Sequence, residues 1–159
     1  MTHIFTPAIL PAMNDQMGED KEWRFCHTEK VRFADVDMFD HVNNAAYLTY
    51  VESARVAYYT NLTGLADPRD FDMTVASAKI DFIKPVFYGQ TLDVYTRIGR
   101  IGNKSWTLEH EIRDSDTGEV MAVASTVNVF YDHETGRSHP IPPDIVQKME
   151  SFEGRKLRD

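Results

Sequence analysis

Between Arg32 and Asn44 the chain reads Arg-Phe-Ala-Asp-Val-Asp-Met-Phe-Asp-His-Val-Asn-Asn, gathering Asp35, Asp37, Asp40 and His41 into one short stretch. Carboxylates beside an imidazole can hold a metal, activate a nucleophile or act as a general base. Calcium is excluded by spacing. An EF-hand loop needs an oxygen ligand at its fifth position, Gly at its sixth and Glu at its twelfth. Counted from Asp35, those positions hold Phe39, Asp40 and Ala46. Zinc would have His41 without a second His at helical spacing, and His3, His27, His110, His133 and His139 are scattered. No metal site is therefore expected. No Gly-x-Ser-x-Gly elbow surrounds Ser53, Ser77, Ser105 or Ser125, and neither common Gly-rich phosphate loop occurs. Cys26, the sole cysteine, can make neither an internal disulfide nor a zinc pair, and reads as a small buried hydrophobe.

What the stretch offers is a carboxylate close to the start of a helix. Helical periodicity begins at Asn44. The first-turn amides of a helix lack internal acceptors, and the dipole makes that end partly positive. A carbonyl oxygen seated there would be polarised and a developing oxyanion stabilised. An Asp a few residues upstream could attack that carbonyl or deprotonate a water beside it. Any one of Asp35, Asp37 and Asp40 could equally cap or build a turn. Together, at one helix start, they favour chemistry.

The string Asp35-x-Asp37-x-x-x-His41-x-Asn43-Asn44-x-x-Tyr47, followed by Glu52-x-Ala54-Arg55, resembles the hotdog-fold acyl-CoA thioesterases of the 4-hydroxybenzoyl-CoA thioesterase family. The likeness continues through Ile80-Asp81-Phe82-Ile83-Lys84-Pro85-Val86, Gly89 and Ile101-Gly102-Asn103-Lys104-Ser105, from about Glu29 to Tyr131. The resemblance implies a long helix wrapped by an antiparallel sheet, subunits paired edge to edge into a continuous sheet, and thioester hydrolysis at the subunit interface. It also implies that Asp37 is the catalytic carboxylate, that the amide at Asn44 polarises the carbonyl, and that His41 orients nucleophile, water or substrate. Two positions depart from related patterns. Phe39 stands where plant acyl-carrier-protein thioesterases have Asn, and Asn44 stands where some members carry Tyr or His, so at the helix start the backbone amide is the expected group. Hotdog hydratases or dehydratases and a non-catalytic acyl-CoA-binding regulatory domain are the alternative readings. The hydratase spacing fits poorly, and retention of Asp37 speaks against the binding domain.

Coenzyme A would enter as part of the substrate, with no resident cofactor. Its phosphates call for basic side chains. Arg97, Arg100 and Lys104 cluster about the Gly102-Asn103 turn, and Lys84 precedes Pro85 at another strand end. Lys84, Arg100 and Lys104 are the candidates for CoA binding. Phe39 and Tyr47 are candidates for the acyl pocket, with Tyr50, Tyr58, Tyr59 and Tyr88 as further aromatics, although rings at helical spacing commonly form core.

These residues need elements to hold them. From Asn44 to Leu62 there is neither Gly nor Pro, and Leu48, Val51, Arg55, Tyr58 or Tyr59, and Leu62 recur at helical steps. Asn43 is placed to cap that helix and Gly64 to stop it. Ala45, Ala46, Ala54 and Ala57 leave its other flank unpolar as well, which implies a helix wrapped by other structure. Strands are expected from Phe25 to Phe33, Met73 to Ile83, Thr91 to Ile101, Ser105 to Arg113 and Glu119 to Tyr131, then a short helix from Pro143 to Phe152. Gly102-Asn103 and Asp116-Thr117-Gly118 mark turns. The last strand carries Val120, Ala122 and Ala124 on one face and Met121, Val123, Val127 and Val129 on the other, a pattern of burial on both faces. The sum is an α+β chain: one long helix on a five-stranded antiparallel sheet. Residues 1–22, broken by Pro7 and Pro11 and polar towards Asp20, read as a flexible arm, leaving 23–159 as one domain.

The 159 residues include 17 Lys and Arg against 25 Asp and Glu, a formal charge of −8. That surplus argues against nucleic-acid partners, which are gripped by basic residues. No apolar run approaches the roughly 18 residues of a membrane span, and no secretory signal is evident. A cytoplasmic homodimer or homotetramer acting on a small thioester is the resulting expectation.

Overall fold

A computed structural model describes residues 23–65 and 67–158; the expected arm, residues 1–22, lies outside the described residues. The elements are β1 (Phe25–Lys30), α1 (Asn44–Thr63), β2 (Met73–Phe82), β3 (Thr91–Ile101), β4 (Ser105–Asp114), β5 (Val120–Asp132), β6 (Arg137–Ser138) and α2 (Pro143–Glu153). The strands pair antiparallel in the spatial order β1-β3-β4-β5-β2, and the two-residue β6 adds to β5 beyond the expected five.

Alternation decides which side of the sheet is buried. Leu92, Val94 and Ile98 of β3, Trp106, Leu108 and Ile112 of β4, and Ala122, Ala124 and Phe130 of β5 all turn towards α1 and are buried. Helix α1 answers with Tyr47, Tyr50, Val51, Ala54 and Tyr58, spaced at three and four residues. This corrects the expected stripe by about one position. Leu48 is 48% exposed, and Ala54, expected on the opposite flank, has no exposure at all. Tyrosine can line a core when its hydroxyl finds an acceptor, and here Tyr50 donates to Asp35 and Tyr58 to Glu153. Asn43 accepts from the Ala45 amide at 2.9 Å, and Gly64 ends the helix at φ 77°, as expected.

Two further expectations are corrected. Strand β1 ends at Lys30 rather than Phe33, because the Val31 amide leaves the ladder for the Gln90 carbonyl and a 3₁₀ turn follows at Phe33–Asp35. Cys26 is exposed: β1 turns Phe25 inward against Tyr58, so its neighbour faces out. Its thiol is pushed up to about 11 by partial burial and by Asp93. On the other face of β5, expected to pack against another subunit or layer, Met121 is buried and Val123, Val127 and Val129 are half-buried in the single subunit. That face of the sheet is charged, with ion pairs Arg97–Glu109, Arg113–Glu111 and Lys79–Asp81. Strand β2 is an edge, paired on one side to β5 and exposed from Val75 to Lys79. Among the described residues no helix is long and apolar enough to cross a membrane.

Candidate active site

The loop between β1 and α1 is closed at a neck. The Asn43 amide donates to the Asp35 carbonyl at 2.8 Å, and Val36 and Val42 form an isolated antiparallel bridge. The Val42 amide donates to the Val86 carbonyl at 2.8 Å, tying the loop to the segment after β2. Inside the neck, the Asp37 amide donates to the His41 carbonyl at 2.9 Å and the Asp40 amide to the Asp37 carbonyl at 3.1 Å. Asp40 takes φ 62°, a left-handed conformation that Asp tolerates better than most residues.

The three carboxylates thereby acquire different surroundings. Asp35 is 5% exposed, and it accepts from the Arg32 amide, Nε and Nη2 at 2.9, 3.1 and 2.8 Å. It also accepts from the Tyr50 hydroxyl at 2.9 Å. The Arg32 side chain, more than any other cause, holds its carboxyl below the usual carboxylate range. Asp37 is half-buried and accepts one bond, from the Phe39 amide to Oδ1 at 2.8 Å; among the described residues nothing bonds its Oδ2. Asp40 is exposed.

Immediately after this loop stands the N-terminus of α1. The Ala45 and Ala46 amides are taken by Asn43, whereas the Asn44 amide has no acceptor among the described residues. The loop thus carries a carboxylate having one unbonded oxygen, and the 20-residue helix that follows it begins with an unused amide at its positive end. His41 lies between them in sequence, its ring edge-on to Phe87 at 5.2 Å. An apolar rim surrounds the loop. Met38 and Phe39 are 88% and 70% exposed, and Phe33 meets Tyr88 at 6.0 Å.

The other sequence candidates are divided. Tyr47 is buried against Phe82 and Tyr50, so it belongs to the core of this subunit. Lys84 lies at the same end of the sheet as Asp37, in an ion pair with Glu119 at 2.7 Å. Arg100 and Lys104 lie at the other end of β3 and β4, about 30 Å along the strands, with Lys104 donating to the Ser138 carbonyl at 3.1 Å. Arg97 points to the outer face, on Glu109 and over the Trp23 ring. Sequence reasoning offered Tyr50 as a further acyl-pocket aromatic and gave Arg32 no role, and neither was expected as a partner of Asp35. Arg32 had a local signal, three residues before Asp35, but the Tyr50 contact joins residues fifteen apart. Among the described residues no three His, Cys, Asp or Glu side chains gather as a metal site.

One long helix wrapped by an antiparallel sheet in this strand order is the hotdog fold. The chain belongs to the thioesterase-like superfamily, whose family model matches residues 31–149. A thioesterase from Thermus thermophilus, solved complexed with coenzyme A and Zn, is 30% identical with a TM-score of 0.76, over 85% of this chain and 98% of its own. A predicted thioesterase from Bacillus stearothermophilus is 31% identical with a TM-score of 0.74, over 80% and 95%. The long-chain acyl-CoA thioesterase FadM of Escherichia coli is 26% identical over 125 residues, 77% of this chain and 95% of its own.

Proposed function

We propose that the protein hydrolyses acyl-CoA thioesters to the free acid and CoA. The observation that carries this reading is the joint anchoring of Asp37 and the Asn44 amide, on a loop whose neck closes at the Asn43 amide. The named activity of FadM and the coenzyme A held by the Thermus thermophilus thioesterase support the choice of thioester. The thioester oxygen accepts from the Asn44 amide, which stabilises the oxyanion as it forms. Asp37 either deprotonates the attacking water or attacks the carbonyl itself; in both routes the CoA thiolate leaves and a water supplies the acid's oxygen. His41 orients the reacting groups, and Phe39 contributes to the acyl pocket.

A homodimer completes this proposal. Strand β2 is an unpaired edge, and an open groove of about 210 Å³ runs beside it between α1 and the sheet, lined by Leu48, Glu52, Arg55 and Val75. Antiparallel pairing of β2 with its copy reverses the second sheet. It brings the far end of the partner, with its Arg100 and Lys104, towards the Asp37 end of the first subunit. Lys84 then grips CoA phosphate from one subunit while Arg100 and Lys104 do so from the other. A cytoplasmic setting goes with this reading.

The test is thiol release, read with Ellman's reagent, across short aliphatic, long-chain and aromatic acyl-CoAs. Turnover of at least one class, lost on Asp37→Asn, is expected; no release from any would end the proposal.

A further inference from the structure

Asp35 grips helix α1 at two points. Its main-chain carbonyl accepts the amide of Asn43, the N-cap, and its side chain accepts the hydroxyl of Tyr50, two turns further along. Tyr50 is itself 1% exposed, so its ring is fixed by packing and its hydroxyl has one direction to point. Arg32 closes the remaining side of the carboxylate through its amide and guanidinium. Two residues after Asp35 comes Asp37, and one residue after Asn43 comes the Asn44 amide. The same residue, through its main-chain carbonyl and its carboxylate, therefore bounds both halves of the site.

We propose that Asp35 and Tyr50 form a positioning pair that fixes the Asp37 carboxylate relative to the Asn44 amide. The inference rests on the reading of Asp37 as base or nucleophile. Neither Asp35 nor Tyr50 meets the substrate, since both are buried and each satisfies the other. What they control is geometry. Loss of the Tyr50 hydroxyl leaves the ring in place and the loop neck intact, but frees the Asp35 side chain from α1. The loop and helix start can then shift against each other, and a misplacement of about 1 Å is enough to cost up to about 100-fold in a chemical step. Substrate binding, which draws on the rim and on the CoA phosphates, is unaffected.

The experiment is a cycle of Tyr50→Phe and Asp37→Asn, single and combined, with kcat and KM on a good acyl-CoA measured per folded molecule, alongside thermal melting. Tyr50→Phe is expected to lower kcat about tenfold, with KM changed by less than about twofold and cooperative melting retained. On top of Asp37→Asn, it is expected to change the residual rate little, because the group it positions is gone. Asp35→Asn should follow the same pattern with a larger fall in melting temperature; Tyr50→Phe decides the matter if that variant does not fold. The pair has no positioning role if Tyr50→Phe turns over at the wild-type rate while Asp37→Asn is impaired. A merely structural role is shown if it cuts both backgrounds by the same factor. Wild-type turnover by Asp37→Asn would instead remove Asp37 from the mechanism and the pair's role with it.

Discussion

Asp35 and Asp37 are separated by one residue and by opposite surroundings. One spends its oxygens on Arg32 and Tyr50; the other keeps Oδ2 free of any described partner. Asp37→Asn preserves size and the turn bond to Phe39 but removes the charge. It is expected to lower kcat by about 100-fold or more with circular dichroism unchanged, as thiol-release kinetics will show. Asp35→Asn is expected to show its effect in stability against pH as well. A carboxyl whose folded pKa is depressed contributes stability that is present above its unfolded value and lost as pH falls through the folded one. With an ordinary value of 3.8 lowered by Arg32, the wild-type urea midpoint should drop steeply below about pH 4, and that of Asp35→Asn more gently. Residue type and spacing left the three carboxylates alike, and only the resemblance picked out Asp37. What separates Asp35 from Asp37 is Arg32, three residues away and locally legible, together with a tyrosine fifteen residues away, a contact that no local spacing rule announces.

The elements were more legible than their faces. Turn residues and alternation located β3 at its observed ends and the other long strands to within a residue, because Gly102-Asn103 and Asp116-Thr117-Gly118 are local signals. The cap and stop of α1 were equally local. Asn43→Ala should cost about 1 kcal/mol in urea unfolding. Its buried stripe was misread because tyrosine, half polar by composition, fills inward positions once Asp35 and Glu153 accept its hydroxyls. Strand β4 carries a similar surprise beneath the helix. His110 is buried between Thr96 and Thr126, and burial, aided by the charge of Arg55, pushes its pKa down to about 3. Below its unfolded value of 6.5 the unfolded chain takes up a proton that the folded chain refuses, so stability falls from about pH 6.5 towards pH 3. Between pH 7 and pH 5 the wild type should lose about 2 kcal/mol from this group. His110→Gln should be weaker at pH 7 and show a flatter slope, read from urea curves at both pH values.

At the scale of the whole molecule, the question is why Arg100 and Lys104 carry positive charge at the end of the sheet remote from Asp37. In sequence they share one turn while Lys84 stands at another strand end, and sequence does not say which strand ends meet in space. The spatial order β1-β3-β4-β5-β2 leaves β2 unpaired along one side, next to exposed Leu48 and Val75. Such an edge invites a second strand, and an antiparallel copy would exchange the two ends of the sheet. Composite sites would follow, each with Asp37 from one subunit and Lys104 from the other. A mixed dimer tests this directly. Asp37→Asn homodimers should be nearly inactive, and Lys104→Gln homodimers should hydrolyse acyl-CoA with KM raised about tenfold and kcat kept, since phosphate contacts are uniform binding. In the hybrid of the two, one site regains both Asp37 and Lys104 while the other has neither. A kinetic component with wild-type KM should therefore appear on co-expression of differently tagged chains and purification through both tags. If Lys104 served the Asp37 of its own subunit, the hybrid's only competent carboxylate would lack its lysine, and KM would stay raised.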